Sequence, residues 1–296
     1  MKYILLITLS IFSFFAEAQT NILQTASERA STTNTLVAKK YFKPRNPFTS
    51  RMYFAWGYNK EWYSSSTIKV SQPSQNSHYQ FNNVSGNDHI GWDKLFQHEL
   101  TIPQYNYRFG FFTKKHPSWG FEFNFDHTKY QMTPGQYAHV TGTINGRNVD
   151  TNMVIIDSVN FWKLNNGANF FCFNVMKRFY LGGTRGGMFK LFTIYKLGIG
   201  PVIPHVENTL MGHDNNPHFQ LGGFNAGFEA AYRLEITKFF YLDLAQKVDY
   251  ANYFGLRVYE GTAKQSFFTY EVMATLGIII PYKEKSESPE PKPKVD

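Results

Sequence analysis

QSFFTYEVMATLGIII, residues 265–280, is the stretch whose reading decides the fold. Phe268, Tyr270, Val272, Ala274, Leu276, Ile278 and Ile280 fall at every second position, and Gln265, Thr269, Glu271, Met273 and Thr275 fill positions between them. A period of two is the side-chain period of a β-strand, whose successive residues point to opposite faces. The same alternation recurs upstream. Trp119, Phe121, Phe123 and Phe125 oppose Glu122, Asn124 and Asp126; Met52, Phe54, Trp56 and Tyr58 oppose Tyr53, Ala55, Gly57 and Asn59. Tyr105, Tyr107, Phe109 and Phe111 oppose Gln104, Asn106, Arg108 and Gly110. Weaker versions run through 171–179, 190–200, 224–233 and 240–248, which makes about eight strands.

The two faces differ in kind. One carries large aromatics, and the other mixes Gly and Ala with charges of both signs. Arg108, Arg178, Lys196, Arg233 and Lys247 share that second face with Glu122, Asp126, Glu229, Asp243 and Glu271. Charges of opposite sign can pair inside a cylinder, while the aromatic face looks out at lipid. The pattern predicts an all-β fold: a closed antiparallel up-and-down transmembrane β-barrel of about eight strands. Its interior is then just wide enough to be filled by side chains, which argues against a channel. A soluble secreted β-sandwich, which also alternates, is the competing architecture.

Composition and chain ends agree with the barrel. Aromatics make up 18% of the 296 residues, with 29 Phe and 19 Tyr, yet mean hydropathy is only −0.37. Lys2, the apolar run from Tyr3 to Phe15 and Ala16-Glu17-Ala18 read as a secretory signal peptide over residues 1–18. The apolar run is shorter than the roughly 20 residues of a spanning helix. Residues 19–48 form a polar periplasmic segment, 49–282 the barrel, and 283–296 a charged, Pro-rich tail unable to bury a core. A single cysteine, Cys172, excludes an internal disulfide framework. The net charge of +8 suits an anionic neighbour such as lipopolysaccharide phosphate, although surplus Lys and Arg also serve simply to solvate loops and tail.

Connection lengths alternate. Short ones fall at 113–118, 182–186 and 236–238; longer ones fall at 63–101, 131–166, 209–218 and 252–264. Outer-membrane barrels pair short periplasmic turns with longer external loops, so both termini are expected in the periplasm of an outer membrane. The second long loop is expected to hold its own hairpin, from Ala138-His139-Val140-Thr141 and Val154-Ile155-Ile156.

The familiar catalytic motifs are missing: no Gly-x-Ser-x-Gly, no His-Glu-x-x-His, no phosphate-cradling loop. His116-Pro117-Ser118 has the His-x-Ser spacing of outer-membrane lipid A deacylases, but falls in a short periplasmic turn. His78, His89, His98, His127, His139, His205, His213 and His218 all map to the opposite end. His205 with Glu207 and His213 with Asp214 are pairs that suit a divalent metal, although two ligands do not make a site. By parity Asp126 and Lys247 point inward, and His127 and Lys129 point outward at headgroup level, where Lys also snorkels without any function.

Asn124-Phe125-Asp126-His127-Thr128-Lys129-Tyr130, Gly135-Gln136 and the segment Gly198 to Glu207 resemble landmark stretches of the lipid A oxidase-like outer-membrane proteins. Those are small barrels associated with oxidising the proximal glucosamine of lipid A to an aminogluconate unit with molecular oxygen. The resemblance spans about residues 103–282. It carries over Asp126, His127, Lys129, His205 and Glu207 as matched positions; for an oxidase-like enzyme, Asp126, His127, His205 and Glu207 are then the expected catalytic residues, His205 and Glu207 the expected ligands of a divalent metal, and Lys129 and Lys247 the expected contacts for lipid phosphates. The expected partners are outer-membrane lipids and lipopolysaccharide, with the outer-membrane assembly machinery during biogenesis and no nucleic acid. The sequence thus points to a barrel that binds or modifies lipid A, with a non-catalytic structural or adhesive barrel as its rival.

Overall fold

The computed structural model describes residues 51–88, 104–156, 158–164, 167–184 and 187–281, all within the compact unit Asn46–Asp296. The expected signal peptide, N-terminal segment and C-terminal tail lie outside the described residues, as do His89 and His98.

In chain order the strands are β1 (Arg51–Tyr63), β2 (Ser66–Gln72), β3 (Ser77–Val84), β4 (Gly86–Asp88), β5 (Tyr105–Phe112) and β6 (Trp119–His127). There follow β7 (Tyr130–Met132), β8 (Tyr137–Ile144), β9 (Arg147–Val154), β10 (Asn160–Leu164), β11 (Phe170–Gly183) and β12 (Phe189–Val202). The last are β13 (His205–Leu210), β14 (His213–Asp214), β15 (His218–Phe219), β16 (Gly223–Ile236), β17 (Phe240–Val258) and β18 (Gly261–Pro281). Every pairing between them is antiparallel.

Eight of these strands, β1–β5–β6–β11–β12–β16–β17–β18, pair in sequence, and β18 pairs again with β1. Following Cα partners from Tyr53 through Gly110, Glu122, Asn174, Gly198, Gly227, Asp249 and Thr269 leads back to β1 at Tyr63, ten residues further along. That offset is the stagger that tilts strands against a cylinder axis. Two glycines on this path make room inside. A Cβ on Gly198 would lie 2.0 Å from the Asn174 amide oxygen, and one on Gly227 would lie 2.3 Å from the Asp249 carboxylate.

The alternation of the sequence becomes the two faces of this wall. Outward stand Phe54, Phe109, Phe121, Phe173, Leu197 (68% exposed), Phe228, Leu244 and Leu276, which between them represent all eight strands. Inward lie Tyr53, Phe112, Met176, Phe192, Ile194 and Tyr241 toward the end that carries Arg51 and Pro281, with Arg178, Arg233 and Asp243 among them. This end, which also holds the short turns, is called here the terminal end. The opposite one is the loop end.

The expectation of eight strands and long loops is corrected at the loop end, where the described residues add ten further strands, for eighteen in two sheets. The upper part of β18 pairs with β2, and β3, β8 and β9 extend that sheet to twelve strands. Strands β14, β13, β10, β7 and β4 form the second sheet, with β15 paired to β13. Both sheets contribute to one apolar core. Ile68, Val70, Tyr79, Phe81 and Val140 come from the first; Tyr130, Met132, Trp162, Leu164, Val206 and Leu210 come from the second. We call this the cap. The hairpin expected in the second loop is β8–β9, with its second arm at Arg147–Val154 rather than 154–156. The expected connection 252–264 is a tight turn at Tyr259-Glu260, because Ala251, Tyr253, Leu256 and Val258 continue β17 into the cap core. Gly255 (φ +64) lies within the register shift that lets this strand bend.

Candidate functional site

Two polar regions stand out: the buried charges inside the ring and a basic rim outside it. Inside, Arg108 is 1% exposed, and it donates to Glu122 (3.0 Å), Glu229 (2.8 Å) and Asp126 (3.3 Å). Lys196 donates to Glu122 (2.7 Å) and forms an ion pair with Glu229 (2.9 Å). Nearer the terminal end, Arg233 grips Asp243 through two bonds of 2.8 Å and lies over the rings of Tyr53 and Tyr241 at 4.2 and 3.9 Å. These strands bring the groups together because inward positions recur every second residue, so Glu122, Asp126, Glu229 and Asp243 each meet a cation from a neighbouring or opposite strand. Buried charges persist only when paired in this way. Cys172 is also buried, its thiol donating to Asn225 (2.6 Å). That seclusion is the environment of an inert thiol rather than a nucleophile.

At the loop end, outside the ring, β5 stops alongside β1 at Tyr58. The next β1 donors find other partners: Asn59 N–H donates to the Gln104 carbonyl (3.4 Å) and Glu61 N–H to the Asp88 carboxylate (2.9 Å). Asp88 also accepts from Lys60 (3.1 Å), whose ammonium lies 5.5 Å from the Trp62 ring. Burial holds the Asp88 carboxyl up at about 6, opposed by its bonds from Glu61 N–H and Lys60. Lys129 lies within the electrostatic reach of both Asp88 and Lys163, and its own value is lowered chiefly by burial. Lys163 shares the outer face of β10 with Phe161, over whose ring it lies at 5.1 Å, and is the Cα partner of Glu207 on β13. The result is a rim of Lys60, Lys129 and Lys163, partly offset by Asp88 and Glu207 and bordered by Trp62 and Tyr105.

The residues singled out by the sequence are distributed rather than gathered. Asp126 lies inside the ring, held by Arg108, Asn124 (2.6 Å) and Lys247 (2.8 Å). His127 points outward, its ring stacked on Tyr105 at 4.6 Å and its Nδ1 donating to the Asn169 amide oxygen (2.9 Å). Asn169 is itself oriented by donating to the Ile203 carbonyl (2.9 Å). His205 and Glu207 share the outer face of β13, two positions apart, with the His205 ring against Phe219 at 4.8 Å. Among the described residues, no three His, Cys, Asp or Glu side chains converge on a metal position. His213 stacks on Tyr259 (4.7 Å), while Asp214 accepts from Thr209 (2.6 Å). Lys247 is buried between Asp126 and Asp249, inside the ring, and so stands away from any headgroup; the expectation of a phosphate contact is corrected there. Lys60 and Lys163 were not singled out by the sequence. Lys60 carries a signal in the alternation of β1, whereas Lys163 sits in a five-residue strand too short to read.

No family model matches the chain, and no curated protein matches it. Among solved structures it is similar to the Neisserial surface protein A, with 10% identity over 77% of this chain and 96% of that one (TM-score 0.31). It is also similar to the outer membrane protein OprG from Pseudomonas aeruginosa, with 11% identity over 79% and 96% (TM-score 0.35). A third is Ail, the attachment invasion locus protein of Yersinia pestis, in complex with the heparin analogue sucrose octasulfate, with 10% identity over 77% and 99% (TM-score 0.27). At these identities the functional reading rests on the chain's own residues.

Proposed function

We propose that this chain is an integral outer-membrane barrel whose loop-end rim binds the phosphates of lipopolysaccharide. The observation that carries the reading is a wall of exposed aromatic and aliphatic side chains on all eight ring strands that ends in the lysine rim. An apolar surface of that extent is far larger than the patches soluble monomers expose, and lipid is its natural solvent. Lys60, Lys129 and Lys163 beside Trp62 and Tyr105 then stand where phosphate headgroups meet acyl chains. Binding is favoured over lipid A oxidation, because Asp126 is sealed inside the ring, His127 points out of it, and His205 and Glu207 lie on the outer face of β13 in the second sheet. Both termini are then periplasmic and the cap external.

The test is binding of lipid A to the full chain folded in detergent. Each cation near an anionic surface contributes about 1 kcal/mol, so the triple variant Lys60→Ala/Lys129→Ala/Lys163→Ala is expected to lose roughly a hundredfold in affinity. Wild-type affinity for dephosphorylated lipid A should fall comparably. Equal affinity for both lipids, or no loss in the triple variant, would sink the reading. Mass spectrometry of lipid A from cells with and without the protein should show no one-oxygen difference.

A pH dependence follows from Asp88. Facing it are Lys60, Glu61, Tyr63 and Lys129. Its folded value of about 6 lies above the ordinary 3.8, so the folded state binds the extra proton between those values. Its stabilising contribution is complete below the ordinary value and is lost as pH rises through about 6. Protonation also frees Lys60, so the rim gains a positive charge as pH falls. The wild-type affinity for lipid A, taken as a ratio to that of Asp88→Asn, should rise about fivefold between pH 7 and 5. The ratio is needed because a phosphate monoester itself titrates near pH 6. A flat ratio would remove Asp88 from the rim's chemistry.

The adhesive reading is favoured by one feature. β9 is the edge of the twelve-stranded sheet, and Tyr137 beside it is 74% exposed, so the cap presents an open strand and an aromatic to the exterior.

A further inference from the structure

Inside the ring, the charges of the described residues do not balance. Eight buried carboxylates (Glu61, Glu122, Asp126, Glu229, Glu235, Asp243, Asp249 and Glu271) face five buried cations and the half-buried Arg51. The cations concentrate on the other acids. Glu61 and Glu271 are direct cross-strand partners on β1 and β18, each 1% exposed, and no Lys or Arg of the described residues lies within ion-pair distance of either. Both Glu271 oxygens and Glu61 Oε1 lack a hydrogen bond; Glu61 Oε2 accepts from the Tyr63 hydroxyl (2.6 Å). Like charges directly opposite each other on a sheet repel, and Lys247, the cross-strand partner of Glu271 on β17, is engaged by Asp126 and Asp249 instead.

A second, independent feature sits beside them. The side chains of Asn59 (1% exposed) and Gln104 (0%) occupy inward positions of β1 and of the residue just before β5, joined by the Asn59 N–H to Gln104 carbonyl bond. All four of their amide atoms are without a partner among the described residues, as is the Thr269 hydroxyl, two positions from Glu271 on the same face. Buried amides left wholly unsatisfied are rare in folded proteins, and each such group needs an explanation. Adjacent strands β5, β1 and β18 thus turn two uncompensated carboxylates, two amide oxygens and a hydroxyl into one region, beneath a cap core that seals it.

We propose that this chamber binds one hard divalent cation, of the calcium class, through Glu61, Glu271, Asn59 and Gln104. Hard cations take carboxylate, amide and hydroxyl oxygens, and calcium tolerates irregular sets of six to eight that include water. Two carboxylates match the double charge, and the absence of a third fits the lack of any three-acid cluster among the described residues. The cation would tie β1 to β18, the seam where the first and last ring strands meet. This site adjoins the lysine rim at Asp88 but uses none of its lysines, and it stands whether or not the rim binds lipid.

The test uses the full chain folded in lipid-free detergent and stripped with a chelator, with Ca²⁺ alone as the ligand. One equivalent should bind by equilibrium dialysis, and the urea midpoint should rise on its addition. Tb³⁺ should bind the same site and luminesce through Tyr63, with Ca²⁺ quenching the signal. In Glu61→Gln/Glu271→Gln the bound equivalent, the Ca²⁺-dependent shift and the luminescence should all disappear, while Lys60→Ala/Lys129→Ala/Lys163→Ala retains them. A wild type with no bound equivalent overturns the proposal, as does a double variant that retains one. If the double variant fails to fold, the wild-type dialysis and the Tb³⁺–Ca²⁺ competition decide. A double variant that is more stable than wild type, with no calcium effect in either, would mean that protons neutralise the pair, and the proposal falls.

Discussion

Arg108→Met should prevent the barrel from reaching its compact, heat-modifiable form on a gel. Arg108 sits at the meeting point of three carboxylates, Glu122 and Asp126 of β6 and Glu229 of β16. Methionine approximates the volume but removes the charge, so three buried acids are left facing one another. Breaking one buried pair typically costs about 3–5 kcal/mol because the orphaned charge has nowhere to go. Here Lys196 and Lys247 remain to hold Glu122, Glu229 and Asp126, so the loss should lie near the upper end of that range rather than at a multiple of it. Adding Glu122→Gln and Glu229→Gln to Arg108→Met should recover folding in part, since the amides keep hydrogen bonding without the repulsion. Refolding yield in detergent, followed by gel migration before and after heating, measures both steps. An Arg108→Met barrel as stable as wild type would mean that the interior charges are solvated, and the filled-cylinder view would fail with it.

Trp162→Ala should separate the cap from the barrel. Trp162 is fully buried in the cap core, and its indole N–H donates to Gln265 (2.8 Å), which in turn donates to Ser66 (2.9 Å). Truncating a buried Trp costs about 3–5 kcal/mol, and the stranded Gln265 oxygen adds to it. The ring strands gain nothing from Trp162 below that level, because their own interior is a different cluster around Tyr53, Phe112 and Tyr241. The expected result is protease cleavage within 66–84 or 130–164 at concentrations that leave wild type intact, with heat-modifiable migration preserved. Joint loss of both would show cap and barrel to be one cooperative unit.

The wall was readable because its signal is local. Phe121, Phe123 and Phe125 announce their face within five residues, and Glu122 and Asp126 announce the other. The candidate site was not readable for the opposite reason. Asp126 and His127 are neighbours in the chain, and that adjacency in a strand sends their side chains to opposite sides of the wall. His205 and Glu207 do share a face, but of a strand in the second sheet. The cap was missed because its strands are short and partly polar, so Ile68-Lys69-Val70 and Tyr79-Gln80-Phe81 looked like loop.

By itself the sequence determined the strand parity, the outward aromatic face and the inward charged one, since a period of two is a property of the backbone at each residue. Only the tertiary structure decided which charges meet. Arg108 finds Glu229 at a separation of 121 residues, and Glu61 faces Glu271 across the seam. Register between strands that far apart is set by how the whole ring closes and staggers, and no local pattern carries that information.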